Sequence, residues 1–171
     1  MVQCGFFRWG GTLILRGIVD EDFVNYKTAS MFVIFPYCSF KCNKDAGCDV
    51  CQNQSLSREH LIVIPANELV DRYVSNPITK SCVLGGLEPL DSAQDLKTFI
   101  YKFRNRCADT LVVYTGYTKE EVSNICPWLF DVKNVVIKFG RFVPNQPHHF
   151  DDVLGVELAS PNQYAEAFNA D

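Results

Sequence analysis

No stretch of this chain approaches the ~20 apolar residues that cross a bilayer, and its N-terminus lacks a basic segment followed by a long apolar one, the pattern that directs secretion. A cytoplasmic location is expected, with no membrane partner. An excess of positive charge is missing too. Sixteen Lys and Arg against twenty Asp and Glu give a formal net charge of -4, which leaves no basic stripe for a polyanion and argues against nucleic acid as a direct partner. There is no internal repeat, low-complexity tract or linker. A chain of 171 residues is long enough for one domain with a real core and too short for two of ordinary size. The expectation is a small single domain over residues 1–171, with residues 1–30 the least readable part.

What the chain does have is cysteine. Of eight, four crowd into Cys38-Ser39-Phe40-Lys41-Cys42-Asn43-Lys44-Asp45-Ala46-Gly47-Cys48-Asp49-Val50-Cys51, directly after the apolar run Met31 to Phe35. Thiolate is the soft ligand that holds zinc or an iron–sulfur cluster, and ligands carried by one loop at the end of a strand converge at little loop-closure cost. With metal-ligand spacing and no secretion signal, a reducing compartment fits better than a disulfide framework. Four thiolates on one ion would make a closed structural zinc site. Three on a cubane would leave one iron open for chemistry. Spacing alone leaves both readings standing. Cys82 and Cys126 sit among apolar residues and read as small buried hydrophobes, while Cys4 and Cys107 carry no signal.

After the cysteine loop, short apolar β-branched segments alternate with amphipathic ones. Strands are predicted at Met31–Phe35, Ser81–Leu84, Leu111–Tyr114, Asn134–Phe139 and Gly155–Leu158, with a further one at Leu13–Val19. Helices are predicted at Asn67–Val74, at Asp91–Arg106 with Asp91 as N-cap, and from Thr118 to the stop at Pro127. A last helical turn or two is predicted over Asn162–Phe168. Buried strands alternating with amphipathic helices imply an α/β fold with a parallel sheet. About five such units do not close an eight-stranded barrel, which leaves an open, partial β/α barrel or a doubly wound sheet. Either collects ligands at the carboxyl ends of the strands, where the cysteines, Gly85-Gly86 and Thr115-Gly116 all fall.

Taken together, Cys38, Cys42 and Cys51-Gln52-Asn53, with Gly85-Gly86-Leu87-Glu88-Pro89 after the next strand, resemble the radical S-adenosylmethionine enzymes. Among these the nearest are the small activating proteins of anaerobic ribonucleotide reductase. The resemblance continues through Val24-Asn25, Tyr114-Thr115-Gly116-Tyr117-Thr118, Gly140-Arg141-Phe142 and Asn162-Gln163. It implies an open barrel of the radical S-adenosylmethionine type and a [4Fe-4S] cluster on Cys38, Cys42 and Cys51. It further implies S-adenosylmethionine held near Val50, Gln52, Asn53, Gly85, Gly86, Glu88 and Thr115, a low-potential electron donor, and a glycyl-radical protein as partner. In such a site Gly85-Gly86 would let backbone approach the ligand, and Glu88 would accept from a cationic amino group.

Three positions depart from the family pattern. The gap before the third cysteine runs from Asn43 to Val50 and contains Cys48, which is therefore an alternative third ligand; Leu87 is inserted before Glu88; and Phe139 stands where an acidic residue often precedes the glycine. Two other functions stay open, radical chemistry on another peptide or small molecule and a non-enzymatic Cys4 metal module. His148-His149, Glu120-Glu121 and Asp151-Asp152 read as solvated groups, His60 has no partner visible in the sequence, and Phe99, Tyr101 and Phe103 read as core.

Overall fold

The computed structural model describes residues 11–169, so Cys4 lies outside the described residues. At its centre is a six-stranded mixed sheet in the order Tyr164–Phe168, Val135–Phe139, Thr110–Tyr114, Ser81–Gly86, Ser30–Phe35, Gly17–Asp22. The inner strands β3 (Ser30–Phe35), β5 (Ser81–Gly86), β6 (Thr110–Tyr114) and β7 (Val135–Phe139) are parallel. The outer strands β2 (Gly17–Asp22) and β10 (Tyr164–Phe168) run antiparallel to β3 and β7. Because the parallel strands follow one another in chain order, the sheet has no point at which the order reverses, and a doubly wound arrangement is excluded. The sheet stays open, with β2 and β10 as its edges.

Register explains which residues become core. Cys82, Leu111 and Val135 form one row across the sheet, Leu84, Val113 and Ile137 another, and both rows belong to the larger core. That core is filled by Leu69, Val70 and Tyr73 from α2 (Ala66–Val74) and by Leu96, Phe99, Ile100 and Phe103 from α3 (Ala93–Arg104). The intervening row, Val83, Val112 and Val136, faces the other way, as period-two alternation requires. It packs with Tyr26, Leu154 and Leu158 in a smaller core. Helices therefore cover one face of the sheet. On the other lies a hairpin of β8 (His149–Asp151) and β9 (Val156–Leu158). Cys82 and Cys126 are fully buried, as their surroundings predict, whereas Tyr101 is half exposed beside Trp128.

Four local expectations are corrected. The segment 13–19 divides at Arg16: β1 (Thr12–Leu15) pairs with β4 (Ile62–Pro65) in a separate ribbon, and β2 joins the main sheet. Arg16 sits at the junction, its backbone N–H donating to the Ile34 carbonyl and its guanidinium to the carbonyls of Pro36 and Glu59. The expected last helix is β10, paired with β7 from Tyr164–Phe139 to Phe168–Val135. A fully buried β7 needs partners for its outer backbone groups, and this outweighs the helical propensity of Ala and Glu. Asp91 does not cap α3; a 3₁₀ turn over Pro89–Ser92 precedes the helix. Asp151 is buried rather than solvated, its carboxylate accepting from Leu154 and Ala165 N–H at 2.9 Å each. By contrast Thr118 and Glu121 do form the reciprocal capping box of α4 (Lys119–Ile125). No helix among the described residues is long and apolar enough to cross a membrane.

Candidate functional site

The carboxyl ends of β3, β5, β6 and β7 open into one cavity of about 340 Å³. Cys38, Cys42 and Cys51 line it from the loop after β3, and Gly86, Glu88, Thr115 and Lys138 line it from the strand ends. Those three cysteines are each partly buried. Cys48 is exposed, lies off the cavity, and directs its thiol to the Ala46 carbonyl at 3.6 Å.

The loop takes its shape from backbone turns and polar ties, with no buried residue in either of its short helices. Phe40 adopts a left-handed conformation (φ 51°) to start α1 (Lys41–Ala46), and Gly47 ends it the same way (φ 67°). Ser39 N–H donates to Asp91 at 2.5 Å, and Asp91 also accepts from the Tyr117 hydroxyl at 2.6 Å. The Lys41 ammonium lies 4.1 Å from the centre of the Tyr117 ring. Arg141 bridges Glu121 at 2.7 Å and Asp45 at 3.2 Å. Asn53 donates its amide to the Gly86 carbonyl at 2.8 Å, fastening the loop to β5. Burial pushes the Cys38 thiol up to about 12, with Glu88 and Asp91 adding to the rise, and burial raises Cys51 as well. Buried thiols of this kind become thiolates when a metal supplies the positive charge.

The same cavity holds a buried carboxylate. Glu88 Oε1 accepts from Leu90 N–H (3.1 Å) and the Thr115 hydroxyl (2.8 Å), and Oε2 accepts from Gly116 N–H (2.8 Å). Burial raises its carboxyl to about 7 despite these bonds. Oε2 keeps a lone pair for a ligand donor. Lys138, buried at the end of β7, donates to the Gly140 carbonyl at 2.9 Å, and burial lowers its ammonium to about 8 against the pull of Glu88 and Cys42. The cavity thus carries groups of both signs.

Of the residues expected around the ligand, Gln52, Asn53, Gly86, Glu88 and Thr115 line the cavity, while Val50 and Gly85 do not. Gly86 is glycine for a reason other than ligand approach. Its φ is +83°, and a Cβ there would stand 2.5 Å from Ile34 Cγ2 on the neighbouring strand. A Cβ on Gly85 would meet Tyr114 at 3.1 Å and Phe32 at 3.2 Å. Sequence reasoning missed Lys138 and Glu157, both in the lining. For Lys138 a signal existed: one charged residue inside the otherwise apolar Val135-Val136-Ile137-Lys138-Phe139, a strand buried throughout.

Three thiols from the loop after β3 line one cavity while a fourth lies off it, a donor set that suits an iron–sulfur cluster. A model of the 4Fe-4S single cluster domain matches residues 27–157, and the chain belongs to that family. Searches of curated proteins and of solved structures return no match. The donor set suits the cofactor. Among the described residues no three His, Cys, Asp or Glu side chains converge as ligands of one ion would, but a cubane is wider than an ion and its thiolates stand farther apart. Iron–sulfur binding thereby displaces the zinc reading.

Proposed function

We propose that the chain is a radical S-adenosylmethionine enzyme of the partial-barrel type whose [4Fe-4S] cluster is held by Cys38, Cys42 and Cys51. One observation carries the reading: a single cavity is lined by these three thiols together with Glu88 and Lys138. Three protein thiolates leave one iron for an outside ligand, and a buried carboxylate with a buried ammonium complements the amino and carboxylate groups of an amino acid. Held by these residues, the cluster would supply reductive cleavage of the sulfonium carbon–sulfur bond of S-adenosylmethionine, with one electron from a low-potential donor and methionine and a 5′-deoxyadenosyl radical as the products.

The chain's own residues bind, orient and shield. Glu88, fixed by Thr115 and Gly116, accepts from the amino group through Oε2, and Lys138 pairs with the carboxylate. Gln52 and Asn53, beside the third cysteine, face the remainder of the ligand, and Phe32 and Leu56 supply apolar wall. The cavity's volume falls at the low end of the ~300–1,000 Å³ typical of small-molecule sites. Cluster and S-adenosylmethionine would fill it, so the radical acceptor is a protein that closes the mouth with its own surface. A glycyl-radical protein of the anaerobic ribonucleotide reductase kind suits this role.

The test is anaerobic reconstitution with iron and sulfide. The expected product is brown protein with about four irons per chain, a reduced-cluster EPR signal that changes when S-adenosylmethionine is added, and slow release of 5′-deoxyadenosine. A glycyl-radical doublet should appear only when the partner is present. A cluster whose EPR signal ignores S-adenosylmethionine would leave an iron–sulfur module without this chemistry. Efficient turnover of a small molecule with no partner would replace the activase with a small-molecule enzyme.

A further inference from the structure

Cys42 and Cys51 reach the same cavity although eight residues separate them, and one side chain spans the interval. Asn43, on α1 next to Cys42, accepts at Oδ1 from Cys51 N–H at 2.8 Å and from Val50 N–H at 3.0 Å. Its Nδ2 donates to Asp49 at 3.0 Å. Within 43–51, Gly47 N–H to the Lys44 carbonyl (3.3 Å) and the Cys48 thiol to the Ala46 carbonyl (3.6 Å) close only the far end of the excursion. Beyond Cys51 the next ties are Gln54 N–H to the Cys51 carbonyl at 3.3 Å and Asn53 to Gly86 at 2.8 Å.

We propose that Asn43 is the positioning residue for the third cluster thiolate: its carboxamide folds the Lys44–Asp49 excursion back on itself and sets Cys51 beside Cys42. This rests on the assignment of Cys38, Cys42 and Cys51 as ligands. The chemistry of the side chain suits the task. A carboxamide has two acceptor lone pairs on oxygen and two donor hydrogens on nitrogen, so it can hold two consecutive backbone N–H groups and a carboxylate at once. Alanine can do none of this, and aspartate would set two carboxylates face to face at position 49. No apolar packing replaces these bonds, since α1 buries no residue. The excursion itself, with Cys48 on it, is a closed loop that contributes length rather than a ligand.

The experiment measures cluster loss from the full-length, anaerobically reconstituted protein after addition of an iron chelator, followed by visible absorbance. Asn43→Ala should bleach about tenfold faster than the unaltered chain, the lower end of what partners behind metal ligands are worth. The melting temperature of the metal-free protein should stay the same, because the loop adds nothing to the core; a merely structural role would move it. The paired exchange Asn43→Asp with Asp49→Asn keeps both contacts to residues 50 and 51 and reverses the third, and should restore the slow rate. Bleaching of Asn43→Ala at the unaltered rate overturns the proposal. So does bleaching of the paired exchange as fast as Asn43→Ala. Cys48→Ala and Cys51→Ala run alongside tell the two claims apart: iron lost from Cys48→Ala and kept by Cys51→Ala means that the ligand assignment has failed, and the role of Asn43 with it.

Discussion

The two walls of the cavity are built by opposite means. On the strand side, Glu88 and Thr115 sit just beyond the ends of β5 and β6 and Lys138 lies on β7, so their positions are set by registered strands that the core holds. On the thiol side the loop buries nothing in its helices and is shaped by a hydrogen bond to Asp91, ion pairs to Glu121 and Arg141, and the contact of Lys41 with the Tyr117 ring. Each such tie is worth about 1 kcal/mol, against roughly 1.5–3 kcal/mol for each large apolar side chain buried in the core. A rigid half presents charge, and a lightly held half presents ligands that metal binding itself will order.

Breaking the thiol half should be all or none for the cofactor and nearly silent for the fold. Cys38→Ala, Cys42→Ala or Cys51→Ala is expected to abolish iron retention after reconstitution, and Cys48→Ala to keep most of it; iron and sulfide analysis decides. Breaking the strand half should show the reverse. Gly86→Val forces a branched side chain into a positive-φ site against Ile34, and a loss of about 2–5 kcal/mol is expected by denaturant unfolding of the metal-free protein. The family resemblance implied that Gly86 serves the approach of backbone to the ligand. The close approach of Ile34 makes a side chain there a folding defect.

Glu88 sharpens the contrast. Its carboxyl is raised from 4.5 to about 7, so the folded chain holds that proton more tightly than the unfolded chain. The contribution to stability is complete below pH 4.5, drains away as pH rises toward about 7, and is gone above it. Glu88→Gln should flatten this part of the stability profile in the metal-free protein, leave iron content unchanged, and weaken S-adenosylmethionine binding about tenfold or more, read by isothermal titration. The smallest effect is expected at the start of α4. Thr118→Ala removes the α4 capping bond and should cost about 1 kcal/mol, with cluster content unaltered.

Much of this was legible beforehand, for physical reasons that also explain the misses. Strands such as Val135–Phe139 announce themselves because burial on both faces demands continuous apolar character, and the Thr118–Glu121 box is a local interaction written in adjacent residues. The cysteine loop was visible because ligand chemistry restricts residue type. What stayed hidden depended on distant partners. Tyr164–Phe168 is a strand because β7 has an open edge, and nothing within the segment says so. Asp91 looked like a cap because its neighbours are helical, yet its carboxylate is claimed by Ser39 and Tyr117 from elsewhere in the chain. The division at Arg16 likewise depends on the carbonyls of Ile34, Pro36 and Glu59.

The chain-order sheet has a consequence for how the molecule is made. From β2 to β7 each strand of the main sheet pairs with the one synthesised just before it, so the sheet can extend in step with the ribosome and no early strand must wait for a late one to be inserted between it and its neighbour. The cysteine loop emerges after β3, well before Lys138, Gly140 and the later residues up to Gln163 that also line the cavity. Only β10, laid against the outer edge of β7, finishes the sheet. Metal delivery to a complete cavity therefore follows synthesis of the segment that carries Gln163, its last lining residue.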